Sequence, residues 1–250
     1  MSTRLACVVI DAERPRTVAD FWAALLGWVV TVERADEVDV AGPDPDGSDL
    51  ALLFVSASHP KRGKNRLHLD LASRSIDHQR MQVDRALVLG ASRVDIGQGP
   101  TPWVVLADPE GNEFCVLEPR EEYVDTGAVA AIVMDTNDPA RLAEFWSTAS
   151  GWPVLRDDER VAGLRAATGL GCWLEFVHSA QVKSERNRLR LDVTSFEDMD
   201  TELSRLRAAG ATTLVTDDPD FGVVRRHRLA DPETNEFCLL HPTRDHSAAV

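Results

Sequence analysis

A fourteen-residue phrase occurs twice in this chain, and no other feature constrains its fold as strongly. LADPEGNEFCVLEP occupies residues 106–119 and LADPETNEFCLLHP occupies residues 229–242, with eleven of the fourteen positions identical. Two more stretches recur with small changes, at residues 8–28 and 132–152 and at residues 65–70 and 187–192. The spacings are 123, 124 and 122 residues, so single-residue insertions separate the halves. Repetition at this length predicts two copies of one domain, which we place at residues 1–122 and 128–244.

The charge and the cysteine content exclude several classes of protein. The chain has 250 residues and a formal net charge of −14, which argues against a nucleic-acid binder and against attachment to an anionic membrane surface. No apolar stretch reaches transmembrane length. The four cysteines form no Cys-x-x-Cys pair, which favours reduced thiols in the cytoplasm. We therefore expect a cytoplasmic protein, a monomer or a homodimer, whose partners are neither nucleic acids nor membranes.

Each half of the chain contains the same smaller pattern twice. A short β-rich run leads into a helix that has one apolar stripe. In the first helix this stripe consists of Val18, Phe21, Trp22, Leu25 and Leu26. A glycine follows the stripe and ends the helix. Three short strands come after each helix, so the chain is predicted to contain four consecutive β-α-β-β-β units.

The repeated phrase contains a tight turn whose two copies differ at one position. Asp-Pro opens the turn, and Gly111 can take a positive φ before the last strand. The second copy has Thr234 there, and a β-branched residue resists that conformation. We therefore expect the second turn to use Asn235 or a different geometry.

The strand in NRLHLDLA has one apolar and one polar face, because side chains alternate along a strand. The apolar face, which should cover the helices, consists of Leu67, Leu69 and Leu71. The polar face consists of Arg66, His68 and Asp70, and the second copy repeats it as Arg188, Arg190 and Asp192. Such a face either lines a polar pocket or is simply solvated, and the sequence leaves both interpretations open.

Paired units that contain FWAALLGW, NRLHLDL and DPEGNEFCVL resemble the vicinal oxygen chelate superfamily. That superfamily includes glyoxalase I, bleomycin-resistance proteins and extradiol dioxygenases, and its tandem glyoxalase-like domains resemble this chain most. The resemblance implies an α+β fold of two tandem glyoxalase-like domains. Each domain would consist of two βαβββ units that form a half-barrel with a concave pocket. Activity does not follow from the fold.

In metal-using members of that superfamily, ligands come from the first and last strands of the units. The matching positions here lie near Leu5 and Val129 and at Leu53, His68, Cys115, Glu175, Arg190 and Cys238. An arginine cannot ligate a metal. The resemblance therefore implies no glyoxalase-type metal centre and no cofactor. The alternative is a divalent metal near His68 and Cys115, for example zinc held by Cys7, His68 and Cys115.

Several side chains on the expected pocket face are candidates for chemistry. His68 beside Asp70 can act as a general acid or base, and Arg66 can orient an anion. Glu175 shares a face with Trp173. A raised pKa would let this glutamate move protons, whereas the alternative is an ion pair with Arg190 or Arg188. The predicted catalytic residues are His68 and Glu175. The predicted ligand-binding residues are Arg66, Asp70, Trp103, Cys115, Trp173, Arg188, Arg190, Asp192 and Arg226.

Two further patterns bear on the ligand. The basic run VVRRHRLAD at residues 223–231 adds Arg226 to Arg188 and Arg190, which favours an anionic ligand. The alternative is an exposed strand edge protected by charge. Trp103 and Trp173 have no counterpart in the other half, which makes them the candidates for ligand stacking.

Three functions from different classes follow. The first is a metal-independent protein that binds a small organic molecule, and the absence of a full ligand set favours it. The second is a lyase or isomerase that uses His68 or Glu175 as acid or base, with or without a metal. The third is a structural or regulatory module without a ligand pocket. The sequence does not decide whether the chain is an enzyme.

Overall fold

The computed structural model describes residues 3–42, 50–215 and 226–241, and the side chain of Arg226 lies outside this description. The four predicted β-α-β-β-β units are present. Unit 1 contains β1 (Thr3–Ala12), α1 (Pro15–Leu26), β2 (Val29–Glu33), β3 (Glu37–Ala41) and β4 (Ala51–Ser56). Unit 2 contains β5 (Leu67–Leu71), α2 (Ile76–Val88), β6 (Ser92–Arg93), β7 (Val104–Ala107) and β8 (Glu113–Val116). A 3₁₀ turn (Glu121–Tyr123) follows.

Units 3 and 4 come from the second repeat. Unit 3 contains β9 (Val129–Thr136), α3 (Pro139–Ser150), β10 (Val154–Asp157), β11 (Val161–Leu164) and β12 (Trp173–His178). Unit 4 contains β13 (Leu189–Ser195), α4 (Met199–Ala208), β14 (Thr212–Thr213), β15 (Arg226–Ala230) and β16 (Glu236–Leu240). The fold is α+β with two tandem glyoxalase-like repeats, as the sequence predicts.

The two sheets do not coincide with the two repeats. Units 1 and 4 form one eight-stranded sheet, the outer-unit sheet, in the order β14-β15-β16-β13-β1-β4-β3-β2. Units 2 and 3 form the inner-unit sheet, in the order β10-β11-β12-β9-β5-β8-β7-β6. Antiparallel pairs join the units, β1 with β13 and β5 with β9. The expectation that each domain builds its own half-barrel is therefore corrected, because each sheet takes one unit from each repeat.

The topology of a single unit shows where two units join. The first strand of each unit pairs in parallel with the last strand of the same unit, as β1 does with β4 and β5 with β8. The other edge of the first strand is then unpaired within the unit. An exposed edge invites pairing with another strand. In both sheets the first strand of a unit from the other repeat occupies that edge.

The helices cover one face of each sheet. Helix α1 begins with Pro15, buries the predicted apolar stripe and ends at Gly27, whose φ is 72°. The predicted apolar face of β5 belongs to the same buried core as this helix. Burial of one large apolar side chain contributes about 1.5–3 kcal/mol. The opposite face of each sheet is thus left for polar side chains. No helix among the described residues has the length and apolar character needed to span a bilayer.

The aspartate of the repeated phrase fastens each turn to a helix. Asp108 accepts a hydrogen bond from the indole Nε1 of Trp22 at 3.2 Å, and Asp231 accepts one from Trp146 at 3.1 Å. Burial raises the pKa of both carboxyl groups. Units 1 and 2 are joined in this way within the first repeat, and units 3 and 4 within the second.

Glu110 and its counterpart in the second repeat, Glu233, connect the two sheets. Arg188, just before β13, donates to Glu110 at 2.6 Å, and Arg66, just before β5, donates to Glu233 at 2.7 Å. Glu110 also accepts two backbone N–H groups just before α1, at 2.8 and 2.7 Å. Glu233 does the same before α3, at 2.9 and 3.0 Å. A carboxylate at a helix N-terminus is stabilised by the helix dipole.

The two turns of the repeated phrase have the same geometry. The φ of Gly111 is 83°, and that of Thr234 is 65°. The prediction of a different second turn is therefore wrong. Asp231 accepts the backbone N–H groups of Glu233 and Asn235, each at 2.9 Å, as Asp108 does in the first copy. These bonds fix the turn and outweigh the local strain, which is of order 1–3 kcal/mol for such a residue.

We predict opposite effects for two exchanges between the turns. Thr234→Gly should raise the free energy of unfolding by about 0.5–1 kcal/mol, because relief of strain exceeds the entropy cost of glycine. Gly111→Thr should lower it by a similar amount, because threonine is strained at the positive φ of this position. The loss stays small because an added Cβ meets only the flexible Lys61 side chain, at 3.4 Å. Denaturant unfolding of both variants checks the prediction. A change of the opposite sign at either position would contradict it.

Candidate functional site

Strand register brings the two predicted catalytic residues, which belong to different repeats, onto one face of the inner-unit sheet. His68 in β5 lies opposite Val133 in β9, and Glu175 in β12 lies on the other side of Val133. Residues directly opposite each other on neighbouring strands share a face. This face points away from the helices, and we call it the inner polar face.

A second row of residues runs parallel to the first on this face. From β12 to β7 it consists of Trp173, Ala131, Asp70, Cys115 and Val105. Four predicted site residues thus lie close to Glu175, namely His68, Asp70, Cys115 and Trp173. They come from β5, β8 and β12, strands that only the exchange of units between repeats brings into one sheet.

His68, Asp70 and Cys115 form a tight polar cluster. His68 Nε2 lies 3.4 Å from Asp70 Oδ1, and one ligand atom of each residue lies within 4.8 Å of the others. Burial, and then the charge of Asp70, raises the pKa of the Cys115 thiol, which therefore keeps its proton. Among the described residues, His68 Nδ1 and Asp70 Oδ1 are buried without a hydrogen-bond partner. Native structures rarely leave such atoms unsatisfied.

Glu175 is buried and held from two sides. The hydroxyl of Tyr123 donates to its carboxylate, with distances of 3.1 and 3.2 Å to the two oxygens. Arg156 Nη1 lies 3.2 Å from Oε1. Burial raises the pKa of Glu175, and Arg156 opposes this effect. The ion pair considered from the sequence thus exists, but its partner is Arg156 and not Arg188 or Arg190.

Two tryptophans, one from each repeat, flank this arrangement. Trp103 and Trp173 pack with Tyr123 in one cluster on the inner polar face. The guanidinium of Arg120 lies 5.6 Å from the centre of the Trp103 ring, and that of Arg156 lies 5.5 Å from the centre of the Trp173 ring. Aromatic rings with cations over them suit planar ligands.

The outer-unit sheet has a different arrangement at the equivalent positions. Arg190 replaces the histidine, and only 1% of its surface is exposed. Its Nη1 lies 2.7 Å from Asp11, and its Nε lies 3.8 Å from Asp192. The equivalent of the glutamate is Leu53. The predicted residues Arg190 and Asp192 therefore form a buried ion-pair group and do not contribute to the site around His68.

The other predicted arginines also lie outside the inner polar face. Arg66 and Arg188 pair with the glutamates that connect the sheets. They precede β5 and β13, so the alternation along the strand does not extend to them. Arg226 begins β15, but its side chain is outside the described residues, as is part of the basic run. An anionic ligand stays a prediction, because Arg66 and Arg188 are paired with glutamates and the side chain of Arg226 lies outside the described residues.

The predicted zinc set of Cys7, His68 and Cys115 is wrong. Cys7 lies in β1 of the outer-unit sheet, opposite Asp192, whereas His68 and Cys115 lie in the inner-unit sheet. Asp70 takes the third position instead. Imidazole nitrogen, carboxylate oxygen and thiolate sulfur are ligands that zinc accepts. His68, Asp70 and Cys115 therefore fit a single divalent ion, whereas the buried guanidinium of the outer-unit sheet does not.

The comparisons with known proteins agree with this fold. A family model described as a glyoxalase-like domain matches residues 7–117 and 131–240. The chain therefore belongs to the glyoxalase-like domain family, within the vicinal oxygen chelate superfamily, and contains two tandem copies. No curated protein matches the sequence.

Solved structures support the fold. The chain is similar to glyoxalase I from Zea mays, with 14% identity, a TM-score of 0.65, and coverage of 96% of this chain and 92% of that one. It is also similar to a putative dioxygenase from Bacillus subtilis, with 13% identity, a TM-score of 0.62, and coverage of 97% and 86%. At such low identity the likeness shows the fold alone.

Three residues of this arrangement were missed by the sequence analysis. Tyr123 lies in the segment between the repeats, and Arg120 and Arg156 lie above the two tryptophans. One signal for Tyr123 was present, since it is the only tyrosine in the chain and has no repeated counterpart. Arg156 lies in β10 within a run of charged residues, which gave no such signal.

The raised pKa of Glu175 predicts how the effect of replacing this residue on protein stability depends on pH. A carboxyl whose pKa is higher in the folded than in the unfolded protein binds more protons when folded. The contribution of the Glu175 carboxyl to the stability of the folded protein is fully present below the ordinary pKa of 4.5. It is lost as the pH rises through the pKa of the folded protein. The stability of Glu175→Gln relative to the unmodified protein should therefore increase with pH above 4.5.

Denaturant unfolding of both proteins between about pH 4.5 and 8 measures this difference. Glu159→Gln is the control, because Glu159 is also a glutamate of the second repeat but is exposed. The control should show no such increase. A relative stability of Glu175→Gln that stays constant or falls with pH would contradict the assignment.

Proposed function

We propose that this protein binds a small organic molecule on the inner polar face, between Trp103 and Trp173. One observation carries the proposal. His68 Nδ1 is buried without a hydrogen-bond partner among the described residues, and Asp70 Oδ1, in the same cluster, faces His68 Nε2 at 3.4 Å without forming a hydrogen bond. An unsatisfied buried polar atom costs roughly 1–3 kcal/mol. A ligand that donates to Asp70 and bonds His68 would recover that free energy.

The surroundings of these two atoms support an organic ligand. Two half-buried tryptophans supply stacking surface on the same face. Two of the three arginines over these rings are paired with a carboxylate, Arg120 with Glu118 and Arg156 with Glu175. The third, Arg165, lies 5.5 Å from the centre of the Trp173 ring and donates to the carbonyl of Gly171. The positive charges of Arg120 and Arg156 are therefore compensated by carboxylates. Apolar walls with a few convergent polar groups are typical of small-molecule sites.

A second candidate function is acid–base catalysis on the bound molecule. The His68–Asp70 pair and the Tyr123–Glu175 pair lie on one face and can exchange protons with a ligand between them. His68 would act as the base and Glu175, with its raised pKa, as the acid. In the metal-assisted alternative, His68, Asp70 and Cys115 would hold a divalent ion that would supply Lewis-acid activation of a ligand oxygen, and Glu175 alone would transfer protons. The chain would then be a lyase or isomerase.

A ligand screen with matched variants tests the binding proposal. We expect compounds that raise the melting temperature of the unmodified protein to bind His68→Leu at least about tenfold more weakly, because the imidazole contact is lost. Glu175→Leu introduces the residue found at the equivalent position of the outer-unit sheet, Leu53. This variant should weaken the binding of the same compounds to a similar extent. His59→Leu, on an exposed loop, is the control and should bind as the unmodified protein does. Unchanged affinity in His68→Leu and Glu175→Leu would contradict the proposed site.

Two further measurements on the same proteins separate the candidate functions. Elemental analysis after purification without chelator tests the metal-assisted form. About one equivalent of metal in the unmodified protein, lost in His68→Leu, would support the ion at His68, Asp70 and Cys115. Conversion of a screened ligand that stops in His68→Leu would favour the enzyme. Binding without conversion would favour the metal-independent binding protein.

A further inference from the structure

The segment between the repeats crosses the inner polar face, and Tyr123 is its inward contact. We call residues 118–128 the inter-repeat strap. Its ends are fixed to the sheet, since Leu117 N–H donates to the carbonyl of Leu71 and Ala72 N–H donates to that of Ala128, each at 3.0 Å. Tyr123 is buried, with 5% of its surface exposed. Because the chain has one such joint, this strap lies over one sheet only.

The Tyr123 side chain makes the contacts that a bound phenol would make. Its hydroxyl donates to Glu175 at 3.1 Å, and the guanidinium of Arg120 lies 5.8 Å from its ring centre. Trp103 and Trp173 pack around the same cluster. A carboxylate acceptor selects a ligand that donates a proton, and the surrounding rings select an aromatic body.

Besides Tyr123, the middle of the strap is held by the buried Thr126, whose hydroxyl donates to the Tyr123 carbonyl at 2.8 Å, and by two contacts of Glu122. Trp173 Nε1 donates to the carbonyl of Glu122 at 3.2 Å, and Arg156 lies 3.5 Å from the Glu122 carboxylate. That carboxylate is 41% exposed, so the second contact is weakened by solvent. Val124, the next residue after Tyr123, is 74% exposed. A segment with fixed ends and few buried contacts opens locally at low cost.

We infer that Tyr123 is a built-in occupant of the site, in the place of an aromatic ligand that carries a hydroxyl group, and that the strap moves aside when this ligand binds. The inference rests on the proposed function and names the class of its ligand. The phenol of the ligand would take over the bond to Glu175, while His68 and Asp70 beneath it would receive the remaining polar groups of the ligand. Tyr123 is then a specificity-determining residue, because it excludes molecules that cannot replace its hydrogen bond.

Titration of Tyr123→Ala with two small probes tests the inference. p-Cresol reproduces the tyrosine side chain, and toluene is the same molecule without the hydroxyl group. Tyr123→Ala should bind p-cresol at least about tenfold more tightly than toluene. The double variant Tyr123→Ala with Glu175→Gln should bind p-cresol and toluene with affinities within about threefold of each other, because the charged acceptor is gone. Tyr123→Ala with His68→Leu is the matched control and should keep the preference.

A second variant covers the case in which Tyr123→Ala does not fold. Tyr123→Phe keeps the ring and loses only the hydroxyl bond, so the strap is held less firmly. It should bind p-cresol about tenfold more tightly than the unmodified protein does. Equal affinity of these two proteins for p-cresol would overturn the inference, and so would the lack of any preference for p-cresol over toluene in Tyr123→Ala.

The outcomes separate this inference from the proposed function. If screened ligands depend on His68 but p-cresol shows no preference, the site binds a ligand of another class and only the present inference fails. If p-cresol is preferred through Glu175 but no screened ligand depends on His68, the phenol subsite stands and the proposed role of the His68–Asp70 pair fails.

Discussion

Two buried carboxylates, Glu110 and Glu233, make the contacts on which the rest of the structure depends. Each accepts two backbone N–H groups at the start of a helix and pairs with an arginine that leads into the central strand of the other sheet. Removal of one partner from a buried ion pair costs about 3–5 kcal/mol. Because Glu110 lies in the first repeat and Arg188 in the second, the two bridges hold the repeats together as well as the sheets.

The residues that are identical in the two repeats and those that differ have separate roles. The identical residues of the repeated phrase make the turns, the helix contacts and the bridges between sheets. The differing residues determine what each sheet face can do, since His68 corresponds to Arg190 and Glu175 to Leu53. In the outer-unit sheet a buried guanidinium pairs with two carboxylates. In the inner-unit sheet the same positions hold His68 and Glu175, on which the proposed ligand site is based.

Local patterns in the sequence predicted the elements well, and long-range partners much less well. The four units, the helix stripes and the apolar face of β5 follow from periodicity and turn residues, which act over a few positions. Periodicity carries no information about which unit pairs with which, so Cys7 was placed beside His68 although their strands lie in different sheets. Thr234 was also misjudged, because its φ is imposed by Asp231 and not by its own preference.

The central claim is that each sheet combines one unit from each repeat, and engineered disulfides test it most directly. Arg4 in β1 and Thr194 in β13 are opposite each other in antiparallel strands, where Cα atoms lie about 4.5–5.5 Å apart, within disulfide range. Oxidised Arg4→Cys with Thr194→Cys should form an intramolecular disulfide, measured by mass spectrometry of proteolytic fragments. Arg4→Cys with Ala72→Cys, the equivalent position in the first repeat, should not. The reverse result, with a bond to position 72 and none to position 194, would show that each repeat forms its own sheet and would contradict the claim.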